Sequence, residues 1–150
     1  MSLKQQIDND IKKAMLEKNK NELTALRGIK SLILLAETEK NVAADLPGDV
    51  ENKLLMKAAK QRKESAEIFQ KEGRDDLAGK ELVELAVISR YLPKQLSEEE
   101  VRAELLKIVH QVGAKGPQDM GKVMGTATKH LAGKAEGKLI SEMVKKILTS

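Results

Sequence analysis

Apolar residues recur at every third or fourth position along almost the whole chain, and nowhere do they alternate with a period of two over the length of a strand. Leu3, Ile7, Ile11, Ala14 and Met15 share one helical face, and Leu23, Leu26, Ile29, Ile33 and Ala36 share a second. The same spacing carries Leu55, Ala58, Ala59, Ala66 and Phe69, then Leu77, Ala78, Leu82, Leu85, Ala86 and Ile88. It returns with Val101, Leu105, Ile108, Val109 and Val112, and again with Leu139, Ile140, Met143, Val144 and Ile147. A period near 3.6 buries one stripe of each helix and cannot sit still as a strand, so the pattern predicts an all-α fold. Phe69 and Tyr91 are the only aromatic residues. Leucine, isoleucine, valine, alanine and methionine must therefore fill the interior, which suits helix packing better than a sheet sandwich.

Local signals divide this pattern. Ser2 with Gln5, and Ser97 with Glu100, have the three-residue spacing of a capping box. Asn21 is placed to cap a second helix fading near Asn41. Asp45–Asp49 reads as a turn, with Asp49 capping a long third helix that Gly73 ends; Asp75 starts the next. Pro93 cannot lie inside a helix, Gly113 stops the helix that follows, and Pro117 opens another. The expected organisation is an N-terminal lobe of long helices over residues 1–92, followed by a small C-terminal three-helix bundle over 97–150.

Several functions lack their residues. With no cysteine there is no disulfide, thiolate metal site or cysteine nucleophile. His110 and His130 have no histidine or cysteine nearby in sequence, so no metal is expected. The phosphate-cradling Gly-x-x-x-x-Gly-Lys-Ser/Thr motif is missing, and the serines fall at caps and helix surfaces rather than beside a lysine. Acids at Asp75-Asp76 and Glu98-Glu99-Glu100 stand at helix starts, where the helix dipole accounts for them. No catalytic residue and no cofactor is expected. No apolar run approaches the roughly 20 residues of a membrane span, and the first residues lack the apolar core of a secretory signal. The expected compartment is cytoplasmic, without membrane attachment.

Charge points the other way. Residues 1–92 hold 17 Lys and Arg against 16 Asp and Glu, whereas 107–138 hold six lysines against Asp119 and Glu136 alone. Within that basic segment Gly121 and Gly125 sit four apart among Met120, Val123, Met124 and Leu131, which keep helical spacing. Each glycine in a helix interior costs roughly 0.5–1 kcal/mol relative to alanine. The pair makes a smooth strip on one face, open to another helix or to a sugar-phosphate backbone. Lys122, Lys129, Lys134 and Lys138 surround it with positive charge, and His110 and His130 can add to it on protonation. Lys60, Arg62, Lys63, Lys71 and Arg74 alternate with Glu64, Glu67 and Glu72. That is the pattern of a solvated helix laced with ion pairs, although Arg62 and Arg74 are secondary candidates for phosphate.

The stretch Asp119-Met120-Gly121-Lys122-Val123-Met124-Gly125, with Gly133-Lys134-Ala135-Glu136-Gly137-Lys138, resembles the C-terminal signature of the GatB/YqeY family. Ala25–Lys30, Gln61–Ser65, Gly73–Leu77 and Tyr91–Glu100 are similar to free-standing YqeY proteins, so that resemblance spans essentially the whole chain. The resemblance to GatB, the tRNA-binding subunit of glutamine-dependent aminoacyl-tRNA amidotransferase, covers about the last third. Where GatB tails read Lys-Ala-Asn-Pro, this chain has Lys134-Ala135-Glu136-Gly137, and glutamate is a poorer helix cap than asparagine.

The resemblance implies a tRNA-binding accessory protein linked to transamidation, a carbon–nitrogen ligation with glutamine as amide donor. It implies tRNA contacts at Gly121, Lys122, Gly125, Lys129, Gly133, Lys134 and Lys138, and an amidotransferase or aminoacyl-tRNA synthetase as a protein partner. With almost no aromatic platform for stacking bases, such contacts would be to backbone and shape. The alternatives are an adaptor that docks on one of those enzymes, and an enzyme with a pocket between the lobes. The local caps carry one prediction about organisation: a fragment cut between Pro93 and Ser97 keeps measurable helix by circular dichroism. A coil spectrum from that fragment, beside a folded intact chain, would place both lobes in a single core.

Overall fold

Both serine signatures fold as capping boxes. The Ser2 hydroxyl accepts the Gln5 amide at 3.2 Å while the Gln5 side chain accepts the Ser2 amide at 3.0 Å. Ser97 and Glu100 make the same reciprocal pair at 3.2 and 3.1 Å. The structure, a computed structural model, describes residues 2–40 and 45–150. Among them are seven α-helices and no strand: α1 (Leu3–Leu16), α2 (Lys20–Glu39), α3 (Gly48–Lys71), α4 (Asp75–Ser89), α5 (Glu98–Val112), α6 (Met120–His130) and α7 (Gly137–Thr149). A 3-10 turn over Pro117–Asp119 precedes α6. The fold class is all-α, as the periodicity requires.

Three helix starts differ from the sequence reading, one of them α6, which begins at Met120 after the 3-10 turn that Pro117 opens. The cap of α2 is Asn19, whose side-chain oxygen accepts the Glu22 amide at 3.2 Å and whose amide group donates to the Glu22 carboxylate at 3.1 Å. Lys18 adopts a left-handed φ of 57°, so the chain reverses and the next helix begins two residues later. Asn21 therefore lies in the first turn. Helix α3 likewise begins at Gly48, after Pro47 and without a side-chain cap, leaving Asp49 in its first turn beside the positive end of the dipole. The expected fading of α2 near Asn41 lies outside the described residues.

The chain divides into two compact units, Met1–Leu92 and Pro93–Ser150, each with its own core. In the first, α2 buries Ala25, Leu26, Ile29 and Ile33 against Leu3 and Ile7 of α1, and Leu55, Ala58, Val87 and Ile88 of α3 and α4. Polar ties stitch this packing from outside. Lys4 reaches Glu37 at 3.2 Å and Lys30 reaches Asp8 at 2.6 Å, joining α1 to α2. Past the end of α4, Arg90 pairs with Glu22, and the half-buried Tyr91 hydroxyl donates to Asp10. Burial, and then the Asp10 carboxylate, hold that phenol well above the usual tyrosine range.

In the second unit α5 contributes Val101, Leu105 and Ile108, α6 contributes Val123 and Ala127, and α7 contributes Ile140, Val144 and Leu148. Gly113 ends α5 in the left-handed region at φ 68°, which a side chain would strain. The segment before α5 is bonded to the α6–α7 connection. The Leu96 amide donates to the Lys134 carbonyl at 2.9 Å, and the Gln95 side chain donates to the Gly133 carbonyl at 2.5 Å.

Leu26 has no exposed surface, whereas Leu35 on the same helix is 56% exposed. Leu26→Ala is expected to lower unfolding stability by about 2–4 kcal/mol in a urea titration, and Leu35→Ala by less than about 0.5 kcal/mol. Comparable losses would contradict the assignment of the buried face.

Candidate nucleic-acid interface

Helix α6 packs one side and leaves the other bare. Val123 and Ala127, four apart, are fully buried, and Leu131 just beyond the helix is nearly so. On the outward side two rows of side chains run side by side at i, i+4 spacing: Gly121–Gly125–Lys129 and Lys122–Thr126–His130. These six residues line one shallow, open depression. A Cβ placed on Gly121 or Gly125 meets no atom within 4 Å. No helix of the unit crosses over the strip, so the two glycines are not required for packing within the fold.

Lys122 and Lys129 have no ion-pair partner among the described residues. They stand seven residues apart, about 10 Å along the axis at 1.5 Å per residue, at opposite ends of the depression. Lys129 and His130 also occupy the last turn of α6, where the helix dipole favours positive charge. The His130 ring nitrogen Nε2 lies 3.1 Å from Glu104 of α5, and Lys107 approaches the other oxygen of that carboxylate at 3.5 Å. His130 first, and Lys107 after it, hold Glu104 below the usual carboxylate range. Deprotonated Glu104 is thus favoured in the fold, and that contribution is lost as the pH falls through its lowered pKa.

The remaining sequence candidates fall elsewhere. Lys134 and Lys138 border a different depression, with Gln95, Leu96, Glu136 and Glu142, where charges of both signs mix. Glu136 does precede α7 without a side-chain capping bond, as its chemistry predicts. Gly133 is buried, with φ 77°, and its carbonyl is taken by Gln95. The structure gives it the role of turning the chain and does not bring it to the strip. Arg62 is held between Glu81 at 3.1 Å and Glu84 at 3.2 Å, bracing α3 against α4. Arg74 pairs with Asp76 at 3.3 Å at the start of α4.

Among the described residues no three His, Cys, Asp or Glu side chains converge as a metal ion needs, and no helix is long and apolar enough to cross a membrane. Thr126 and Glu104 were not singled out from the sequence. Stepping four residues from Lys122 finds Thr126, but nothing local marks Glu104, which reaches the strip's edge from another helix.

The family described as Yqey-like protein matches residues 4–148, which takes in both units and the strip. The chain belongs to that family. Its relatives include proteins called altered inheritance of mitochondria protein 41, mitochondrial. The protein of that name from Clavispora lusitaniae is 36% identical over 70% of this chain, and the one from Eremothecium gossypii is 33% identical over 71%. A third, from Pyrenophora tritici-repentis, is 29% identical over 93% of the chain and 77% of its own length. Against the first two, the chain spans 61% and 58% of the relative.

Bare helical glycines have a measurable consequence. Gly121→Ala and Gly125→Ala are each expected to stabilise the protein by roughly 0.5–1 kcal/mol in urea unfolding, because the new methyl meets open space and the unfolded chain loses freedom. Gly113→Ala, at positive φ, is expected to destabilise it. Destabilisation by either strip substitution would mean that the strip is packed.

Proposed function

We propose that this chain is a tRNA-binding accessory protein that meets the sugar-phosphate backbone with the outward face of α6. The observation that carries the reading is the bare glycine strip with an unpaired lysine at each end. Two glycines weaken a helix of 11 residues, and no contact within the unit needs them small. Small residues are useful where another backbone must approach closely, and unpaired lysines favour a polyanion through counterion release.

The family resemblance connects the reading to glutamine-dependent transamidation of tRNA, with an amidotransferase or a synthetase as protein partner. In such an assembly this chain supplies the RNA contact and its partner supplies the carbon–nitrogen chemistry. Lys134 and Lys138 extend the contact as a second patch. The cytoplasm is the compartment expected from sequence, while the names of the relatives place those proteins in mitochondria; RNA contact of this kind suits either.

The test separates the two basic patches. Binding of a labelled tRNA is measured across a salt series for the native chain, Lys122→Gln/Lys129→Gln and Lys134→Gln/Lys138→Gln. The first double variant is expected to weaken binding and to flatten the log–log salt dependence by up to roughly 0.7–0.9 per lost phosphate contact. Its fold should be unchanged, since exposed lysines contribute little to stability. Gly125→Leu should also block close approach while leaving the helix intact. If tRNA affinity is indifferent to both strip lysines and to Gly125→Leu, the strip does not bind RNA. Salt-insensitive binding to an amidotransferase or synthetase, lost in Gly125→Leu, would then favour the adaptor.

A further inference from the structure

One carboxylate stands at the edge of the cationic strip, and it is joined to the strip's histidine. Glu104 reaches across from α5 to His130, which ends the Lys122–Thr126–His130 row. We infer that the His130–Glu104 pair makes polyanion binding by this strip pH-dependent, so that affinity rises as His130 gains a proton. The inference rests on the reading of the strip as an RNA-backbone contact and specifies how that contact is regulated.

The charged groups around His130 account for the direction. From α5 come Glu104, at 3.1 Å, and Lys107, held by the same carboxylate at 3.5 Å. From α6 come Lys129, next in sequence, and Lys122 at the far end of the depression. Helix α7 makes no hydrogen bond or ion pair to His130 among the described residues. Neutral imidazole leaves two lysines on the strip; imidazolium makes a third cation. Glu104 offsets part of that third charge while the strip is empty. An arriving phosphate gives the imidazolium a second acceptor, so bound RNA favours the protonated ring and binding takes up a proton. By linkage, affinity must then increase as the pH falls and the ring takes up its proton. The geometry suits such an exchange, because both partners are reachable from water: the His130 side chain is 54% exposed and that of Glu104 31%.

The experiment measures binding of an unmodified tRNA transcript to the full chain at fixed ionic strength between pH 8 and pH 5.8. Native protein is expected to bind roughly three- to tenfold more tightly at the acid end, well within the one decade per pH unit that a single coupled proton allows. His130→Gln is expected to abolish that gain. His110→Gln, which removes the other histidine, is expected to keep it. Glu104→Gln removes the opposing carboxylate and should tighten binding at both ends of the range. Helicity of each variant by circular dichroism confirms that exposed substitutions leave the fold in place. Salt-sensitive binding that does not change with pH, or a pH gain that survives in His130→Gln, would overturn this inference alone. Absence of salt-sensitive binding at every pH would overturn the strip reading, and this inference with it.

Discussion

Packing almost without aromatic rings is the constraint on which both units depend. A helical core usually leans on a few large flat side chains to fill irregular space; here Tyr91 alone packs against the first core, and branched aliphatics, methionine and alanine do the rest. Buried alanines at positions 14, 25, 58, 66, 78 and 127 let helices approach closely, while leucine, isoleucine and valine interdigitate between them. Each unit buries one stripe per helix in this way, and the polar ties follow from it. Arg62 meets Glu81 and Glu84 because α3 and α4 lie packed side by side, each with buried alanines, Ala58 and Ala66 on one and Ala78 on the other.

The treatment of charge differs between the units. In the first, four basic side chains, Lys4, Lys30, Arg62 and Arg90, tie one helix to another. In the second, the helix–helix ion pair among the described residues is His130–Glu104, and the lysines of α6 have no partner there. Surface pairs of this kind contribute little to stability, so their value lies in fixing which faces meet.

Much of the fold is legible in the sequence because helices obey local rules. The faces of α2, α5 and α7 follow directly from three- and four-residue spacing, and the capping boxes at Ser2 and Ser97 need no tertiary information, whereas Met15 on α1 and Leu82 and Ala86 on α4 keep the spacing of a buried face and yet stand exposed. Errors arise where a local signal has a near neighbour of the same kind. Asn19 and Asn21 are both capable caps, and the choice was made by Lys18 turning left-handed, which no propensity scale suggests. The site is legible in part for the same reason. Gly121, Lys122, Gly125 and Lys129 are neighbours on one helix, so spacing alone collects them. Gly133 belongs to the same motif but serves the turn, because its carbonyl is claimed by Gln95 from a segment 38 residues away. Glu104 is invisible from sequence, since only packing of α5 on α6 brings it to the strip.

The left-handed turn at Gly133 has a mechanical consequence. Through the Gln95 and Leu96 hydrogen bonds, the connection between α6 and α7 is anchored to the segment that leads into α5. Helix α6 is therefore clamped beyond its C-terminal end, where it also meets Glu104, while two glycines loosen its first two turns. Amide protons at Gly121 and Gly125 should exchange faster than that of Ala127, because a glycine turn has no side chain to hold it. A surface built on such turns can adjust to an irregular backbone while Val123 and Ala127 hold the buried side of the same helix in place.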